Sequence, residues 1–330
     1  MKNSVIQWGI LGCGHIAAKF AAALKAVPEA KLHGVASRNE AKARDFCQTH
    51  GAVKWHEGYE ALVADPEIDV VYVATPHIFH KEHSILCLNH GKPVLCEKPF
   101  AINKKEAGGM VAFAKAKNLF LMEAMWTRFL PVIVKIRELL AGGAIGEVRM
   151  LFADFGFRPK FDPESRLFDL ALGGGSLLDV GVYPVSFAHL IFGKPPSRIA
   201  GSAAFAATGV DESMAAVLRY DKGESALLSS SIVLDTVCGA TIFGTAGSIR
   251  IPAFWRAVSA TVTAGGKEKI AIPFRANGYE YEAEEVVRCI RDGKIESEIM
   301  PLQDSLAIVE TMDAIRAQLG LVYPTEKSSR

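Results

Sequence analysis

Two short stretches carry side chains that could handle a proton. LCEKPF, Leu95 to Phe100, ends an apolar run on Glu97 and Lys98 and sets Pro99 immediately after them. LLDVGVYP, residues 177 to 184, places Asp179 and Tyr183 four apart, so on a helix a carboxylate and a phenol share one face. Each has a plainer explanation. Lys98 could be a solvated lysine paired with Glu97, Tyr183 a core tyrosine with a satisfied hydroxyl, and Asp179 a residue bonded to a helix end. What decides between these readings is where the surrounding elements deliver the groups.

Directly after the first apolar run comes Gly12-Cys13-Gly14-His15-Ile16-Ala17, a GxGxxA opening an alanine-rich helical stretch. Gly12 suits a tight turn, Gly14 lets backbone approach a pyrophosphate, and the helix start at His15 and Ile16 favours phosphate charge. The alternative is an ordinary glycine turn. A dinucleotide site that prefers NAD commonly carries an acidic residue about 20 positions on, at the end of the second strand, to hold the ribose 2′-hydroxyl. Here that strand ends in Ser37 and Arg38, a small donor and a cation that suit a 2′-phosphate, with Glu40 close by and a solvated loop arginine as the plainer reading. The expected cofactor is NADP.

The elements that must position these groups follow a regular rhythm over residues 1–125. Strands are expected at 5–11, 31–37, 53–56, 69–75, 93–98 and 119–125, with helix-like stretches between them. Near-continuous apolar strands separated by helices argue for a doubly wound parallel sheet covered on both faces. In such a sheet ligands bind beyond the carboxyl ends of the strands, an edge reached by Thr75, Pro76 and His77 after the fourth strand and by Glu97 and Lys98 after the fifth.

Residues 126–330 read as a second, α+β domain. A helix at 131–143 and a strand at 147–157 precede ALGGGS, which should give room at the start of one helix over 176–193. From Arg198 to Phe274, short strands separated by DKG, TAGS and AGGK turns suggest a mainly antiparallel sheet. The end is helical again, with an apolar face on Leu306, Val309, Met312, Ile315 and Leu319. This terminal helix, 303–320, is expected to return toward the first domain, and GLVYPTEKSSR to fray. No repeat of 20 to 50 residues is present, which excludes solenoids and propellers.

Composition narrows the partners. Lys and Arg total 37 against 36 Asp and Glu, without blocks of like charge, so neither nucleic acid nor a membrane surface is indicated. The six cysteines form no CxxC pair, in keeping with reduced thiols in the cytoplasm. No apolar run approaches the roughly 18 to 20 residues needed to cross a bilayer. His77, His80, His83 and His90 raise the question of a metal. Their spacing spreads ligands around a helix and no cysteine lies within ligand distance, so no metal is expected, and His77 and His80 read as polar groups near a cofactor cleft.

In combination, the GxGxxA start, DVVYVATPHIFHKEHSILCLNHGKPVLCEKPF and GGGSLLDVGVYP resemble the glucose-fructose oxidoreductase and inositol dehydrogenase family. MEAMWTRFLP and ADFGFRP are similar to its branch of dimeric trans-dihydrodiol dehydrogenases, also described as NADP-dependent D-xylose dehydrogenases. The resemblance covers nearly the whole chain. It implies an N-terminal Rossmann domain and a C-terminal domain whose open sheet face commonly forms a homodimer interface. It also implies that Lys98 lies by the nicotinamide before a cis Pro99, and that Trp126, Arg128, Phe157 and Arg158 line the substrate cleft. Much of the wider family has histidine where this chain has Tyr183, whereas the diol and xylose branch has this tyrosine as its acid/base.

The resulting expectation is an NADP-dependent dehydrogenase of a small cyclic polyol: an aldopyranose such as D-xylose at C1, or an arene trans-dihydrodiol. Tyr183 would take the hydroxyl proton, Lys98 would favour its phenolate, and Asp179 would orient substrate or lysine. An NAD-dependent inositol or other sugar dehydrogenase is the enzymatic alternative. A non-catalytic NADP-binding regulator is the alternative of another class.

Overall fold

The computed structural model describes residues 5–327. They fall into two compact units, residues 5–126 with 275–306, and residues 127–274 with 307–327. A linear boundary at 126 therefore misses one return: residues 275–306 belong to the first unit, and the last long helix, Leu302–Leu319, passes from one unit into the other.

In the first unit, strands β1 (Ile6–Leu11), β2 (Ala30–Ser37), β3 (Lys54–Glu57), β4 (Val70–Val73), β5 (Val94–Glu97) and β6 (Leu121–Ala124) alternate with helices. These are α1 (His15–Leu24), α2 (Glu40–His50), α3 (Tyr59–Val63), α4 (His80–Asn89) and α5 (Lys104–Lys117). The sheet order is β3-β2-β1-β4-β5-β6, every pair parallel. The order reverses between β1 and β4, so the carboxyl ends of those two strands flank the crevice where doubly wound sheets bind ligands. β4 and β5 are buried at every position, which is why they read as unbroken apolar runs. Asn39 and Asn103 cap α2 and α5 by accepting from Lys42 N and Glu106 N, both at 2.9 Å.

In the second unit, α6 (Pro131–Ala141), β7 (Val148–Gly156) and α7 (Val182–Phe192) precede a run of strands. These are β8 (Arg198–Phe205), β9 (Asp211–Arg219), β10 (Ser225–Ser231), β11 (Ala240–Gly244), β12 (Ser248–Ile251), β13 (Ser259–Thr263) and β14 (Lys267–Ala271). They form one sheet ordered β14-β13-β12-β11-β7-β10-β9-β8, antiparallel except where β7 pairs with β10. One face carries Leu151, Ala153, Phe155, Met214, Ala226, Leu228 and Ile242 and is buried. The other is open, with Phe152 42% and Leu227 40% exposed. Register places Ala200, Val217, Leu227, Phe152, Thr241, Arg250 and Thr261 in one row across this open face.

Two expectations are corrected here. The stretch 176–193 is not one helix: Leu177–Gly181 forms a π-type turn, and α7 begins at Val182. Leu170–Phe192 does reach a mean hydropathy of 1.3, but 83% of that window is buried inside the fold. It is broken into a 3₁₀ turn, a glycine loop, the π-type turn and α7, as expected of a core segment. The C-terminal stretch is anchored rather than frayed. Tyr323 is fully buried and donates its hydroxyl to Gly174 O at 2.9 Å, while Arg316 holds Glu326 at 2.8 Å. Residues 328–330 lie outside the described residues.

Candidate active site

The glycine loop has the geometry that its sequence implies. Gly12 has φ +93, and a Cβ there would lie 2.9 Å from Ala74 O, so only glycine fits between the ends of β1 and β4. At Gly14 a Cβ would meet nothing within 4 Å, leaving open space beside the start of α1. No side chain caps that helix. An open cradle at an uncapped helix N-terminus suits a pyrophosphate. His15 is exposed and Ile16 half-buried at this start.

At the end of β2, Ser37 is buried and its Oγ accepts from Asn39 N at 3.2 Å. Arg38 is exposed, with its guanidinium 5.7 Å from the Phe79 ring centre. Glu40, the carboxylate that could have competed for a ribose hydroxyl, is bonded within its own helix by Arg44 at 2.6 Å. Arg38 thus stands at this strand end beside a Glu40 that is already engaged.

Two histidines of α4 are struts. His80 is 0% exposed. Its Nδ1 lies 2.8 Å from Pro99 O and its Nε2 2.8 Å from Thr75 O, so one ring joins the loops that follow β4 and β5. Burial drives this ring toward neutrality, with its pKa lowered to about 4, while the two carbonyls favour the protonated form. Burial wins, and a neutral ring donates to one carbonyl at a time. His83 Nδ1 meets Thr75 Oγ1 at 2.8 Å. His80 is therefore not at a cleft mouth, as its position suggested; it fixes the loop that carries Thr75, Pro76 and the buried His77.

Glu97 ends β5 with its carboxylate engaged. The Tyr72 hydroxyl donates to Oε1, and Lys98 N donates to Oε2 at 3.1 Å. Glu282, fully buried on helix Glu280–Arg291, has its carboxyl held well above the usual range by burial and then by the Glu97 charge. The Lys98–Pro99 bond is cis. Glu97 thus braces the backbone at Lys98, and the half-buried lysine leaves the strand at the carboxyl edge. Trp126 is buried in the same unit, stacked on Tyr279 with ring centres 4.2 Å apart.

The second unit assembles its own cluster around the π-type turn. Asp179 is buried, and its Oδ1 accepts from Arg166 Nη1 at 2.8 Å. Tyr183, at 6% exposure, lies against Phe155 and Trp255, with ring centres 5.3 and 6.2 Å away. The segment is pinned by Asp211, whose Oδ2 accepts from Ser176 Oγ at 2.8 Å and Leu177 N at 2.7 Å. The glycines before it serve this anchor instead of leaving room for a ligand: at Gly175, φ +122, a Cβ would lie 2.1 Å from Asp211 Oδ1. Arg128 is almost completely buried. Phe157 continues the ladder to Ser231 O at 3.1 Å, and exposed Arg158 faces Asp235 at 3.8 Å. Lys98 belongs to the first unit, and Asp179 and Tyr183 to the second.

Arg166, Phe155, Trp255 and Asp211 were not legible as site residues. Arg166 and Asp211 sit in unremarkable loop and strand-start sequence, and only the fold brings them to the GGGS segment. Trp255 had one usable signal, as a tryptophan beside a short turn in a strand-rich region.

Comparison with known proteins fits this geometry. Residues 6–125 match an oxidoreductase family with an NAD-binding Rossmann fold, and residues 133–250 match the GFO/IDH/MocA C-terminal domain. The chain belongs to the GFO/IDH/MocA oxidoreductase family. It is 39% identical to a trans-1,2-dihydrobenzene-1,2-diol dehydrogenase of Xenopus tropicalis, over 96% of this chain and 99% of that one. The Danio rerio protein of the same name is 38% identical over 96% of this chain and 98% of its own length. A 3-ketoreductase from Actinomadura kijaniata, solved with NADP and TDP-benzene, superposes with a TM-score of 0.87 at 26% identity, covering 96% of this chain and 98% of that one.

Proposed function

We propose that this GFO/IDH/MocA oxidoreductase is an NADP-dependent dehydrogenase acting on a CH–OH group of a small cyclic polyol, either an aldopyranose such as D-xylose at C1 or an arene trans-dihydrodiol. The observation that carries the reading is the near-full-length match to proteins named trans-dihydrodiol dehydrogenases. Cofactor choice is supported by Ser37 and Arg38 at the end of β2 and by the commitment of Glu40 to Arg44. Gly12, Gly14, His15 and Ile16 would hold the pyrophosphate, with Thr75, Pro76 and His77 along the same edge. A bound nicotinamide supplies the two-electron acceptor for the C–H bond.

Within that reading, Tyr183 accepts the substrate hydroxyl proton and Lys98 favours the phenolate electrostatically, proton transfer contributing about 10² to 10⁴ in rate. Asp179, tied to Arg166, orients a substrate hydroxyl. Trp126, Arg128, Phe157 and Arg158 line the substrate. A lysine and a tyrosine have each been substituted in solved variants of the Actinomadura 3-ketoreductase, the same two residue types. The exposed Phe152, Leu227 and Phe243 on the open sheet face, with Phe152 and Phe243 ring centres 5.2 Å apart, suit a second copy of the chain. Free cysteines throughout suit a reducing compartment such as the cytoplasm.

The test is NADPH formation from NADP with D-xylose, D-glucose, inositol and a trans-dihydrodiol, with NAD in parallel. Lys98→Met and Tyr183→Phe should each abolish turnover while retaining NADP binding, and Arg38→Ala should weaken NADPH far more than NADH. Unchanged turnover in both catalytic variants sinks the mechanism. Tight nucleotide binding without activity on any substrate points to a regulator instead.

A further inference from the structure

Toward the amino-terminal edge of the first sheet, opposite Gly12 and Lys98, four side chains from three elements converge. His33 comes from β2, His56 from β3, and Asp65 and Glu67 from the loop between α3 and β4. His33 Nε2 lies 3.3 Å from Glu67 Oε2 and 3.7 Å from Asp65 Oδ2, and His56 Nε2 lies 3.5 Å from Asp65 Oδ2. Donor atoms of His33, Asp65 and Glu67 all lie within 4.8 Å of one another.

Lys54 explains part of the cluster. Its Nζ lies 2.9 Å from Glu67 Oε2 and 3.3 Å from Asp65 Oδ2, so an ammonium balances the carboxylates. It makes no hydrogen bond to either histidine. His33 is only 6% exposed, yet neither its Nε2 nor that of His56 makes a hydrogen bond. Two buried imidazole nitrogens that face carboxylates at 3.3 to 3.7 Å without a hydrogen bond are left unsatisfied by the ion-pair cluster alone. The arrangement is a favourable one for a cation that accepts nitrogen and oxygen donors together.

The spacing agrees. With metal–ligand bonds of about 2.0 to 2.1 Å, donors of a tetrahedral zinc site stand about 3.3 Å apart. Of the three histidine–carboxylate separations, one already has that value and two need to close by tenths of an ångström, while His56 stands outside the trio of donors that lie within 4.8 Å of one another and has further to move. Two imidazoles in the set favour a zinc-class ion over calcium or magnesium, which take oxygen ligands. We propose that His33, His56, Asp65 and Glu67 bind a divalent transition-metal ion of the zinc class, with Lys54 as the competing cation. The ion would tie β2, β3 and the loop before β4 together. No linear spacing could have shown this, since the donors come from separate elements.

The test titrates the full-length, chelator-treated protein with Co²⁺, whose visible bands report coordination geometry, and then displaces it with Zn²⁺. One equivalent with four-coordinate bands is expected. His33→Gln should weaken binding at least about tenfold, and Lys54→Met, which removes the competitor, should strengthen it by a similar factor. The opposite signs separate this site from adventitious binding at a thiol such as the half-buried Cys238, which neither variant would alter. Should His33→Gln fail to fold, His56→Gln on the partly exposed β3 carries the same expectation. Equal affinity in the wild type, the histidine variant and Lys54→Met, or no uptake by Lys54→Met, overturns the proposal. Because uptake is measured and not turnover, the result stands apart from the proposed dehydrogenase activity.

Discussion

Asp211 carries a pH dependence whose sign follows from its surroundings. It is fully buried, and Ser176 Oγ and Leu177 N both donate to one of its oxygens, Oδ2, while Oδ1 has no hydrogen-bond partner. Burial pushes the carboxyl up from 3.8 to about 6, outweighing those hydrogen bonds, which pull it down. The folded state therefore holds the proton about two pK units more tightly than the unfolded chain, worth about 3 kcal/mol at about 1.4 kcal/mol per unit. Because the folded value is the higher one, this stabilisation is complete below about pH 4 and is lost as pH rises through about 6. Asp211→Asn keeps an oxygen for both donors and cannot ionise. Urea unfolding of both proteins between about pH 4 and 8, followed by circular dichroism, isolates the effect, since other groups cancel in the difference. Relative to the variant, the wild type should lose about 2 to 2.5 kcal/mol between about pH 4 and 7 and change little beyond. A difference that is flat, or that rises with pH, would mean that the ionised carboxylate is the stabilised form, and the burial argument would fail.

Paired glycine variants separate folding from nucleotide binding. Gly12→Ala should destabilise the first unit by about 1 to 2 kcal/mol through its positive φ and the contact with Ala74 O, measured by denaturant unfolding. Gly14→Ala should stay within about 0.5 kcal/mol of wild type yet weaken NADP binding by calorimetry, because the added methyl meets no protein atom and fills only the cradle. Retained affinity in Gly14→Ala would remove the pyrophosphate from that position. His80→Phe removes the one hydrogen bond that the neutral ring donates to the carbonyls of Thr75 and Pro99 and should cost about 1 to 3 kcal/mol, whereas a loss below about 0.5 kcal/mol would show the strut to be dispensable.

The first sheet was legible because each of its signals is local. A buried parallel strand must be apolar at every position, as β4 and β5 are, and a turn squeezed against Ala74 O must be glycine, as Gly12 is. The second sheet was legible through its turns. Long-range partnerships erased the rest. ALGGGS looked like an opening for a ligand because glycine means space when read alone; with Asp211 Oδ1 where a Gly175 Cβ would be, the same glycines mean close packing. The helix expected over 176–193 failed for a related reason. Helical spacing predicts α geometry, but the anchor on Leu177 N and the ion pair from Arg166 act on the first turn of that segment, which is π-type instead. Asp179 and Tyr183 therefore cannot be related by the four-residue rule that first drew them together, and their roles rest on separate surroundings: Asp179 on an arginine, Tyr183 on two aromatic rings. If Asp179 acts by orienting substrate through Arg166, then Arg166→Ala should raise KM for the polyol more than it lowers kcat, whereas loss of Tyr183 should lower kcat directly.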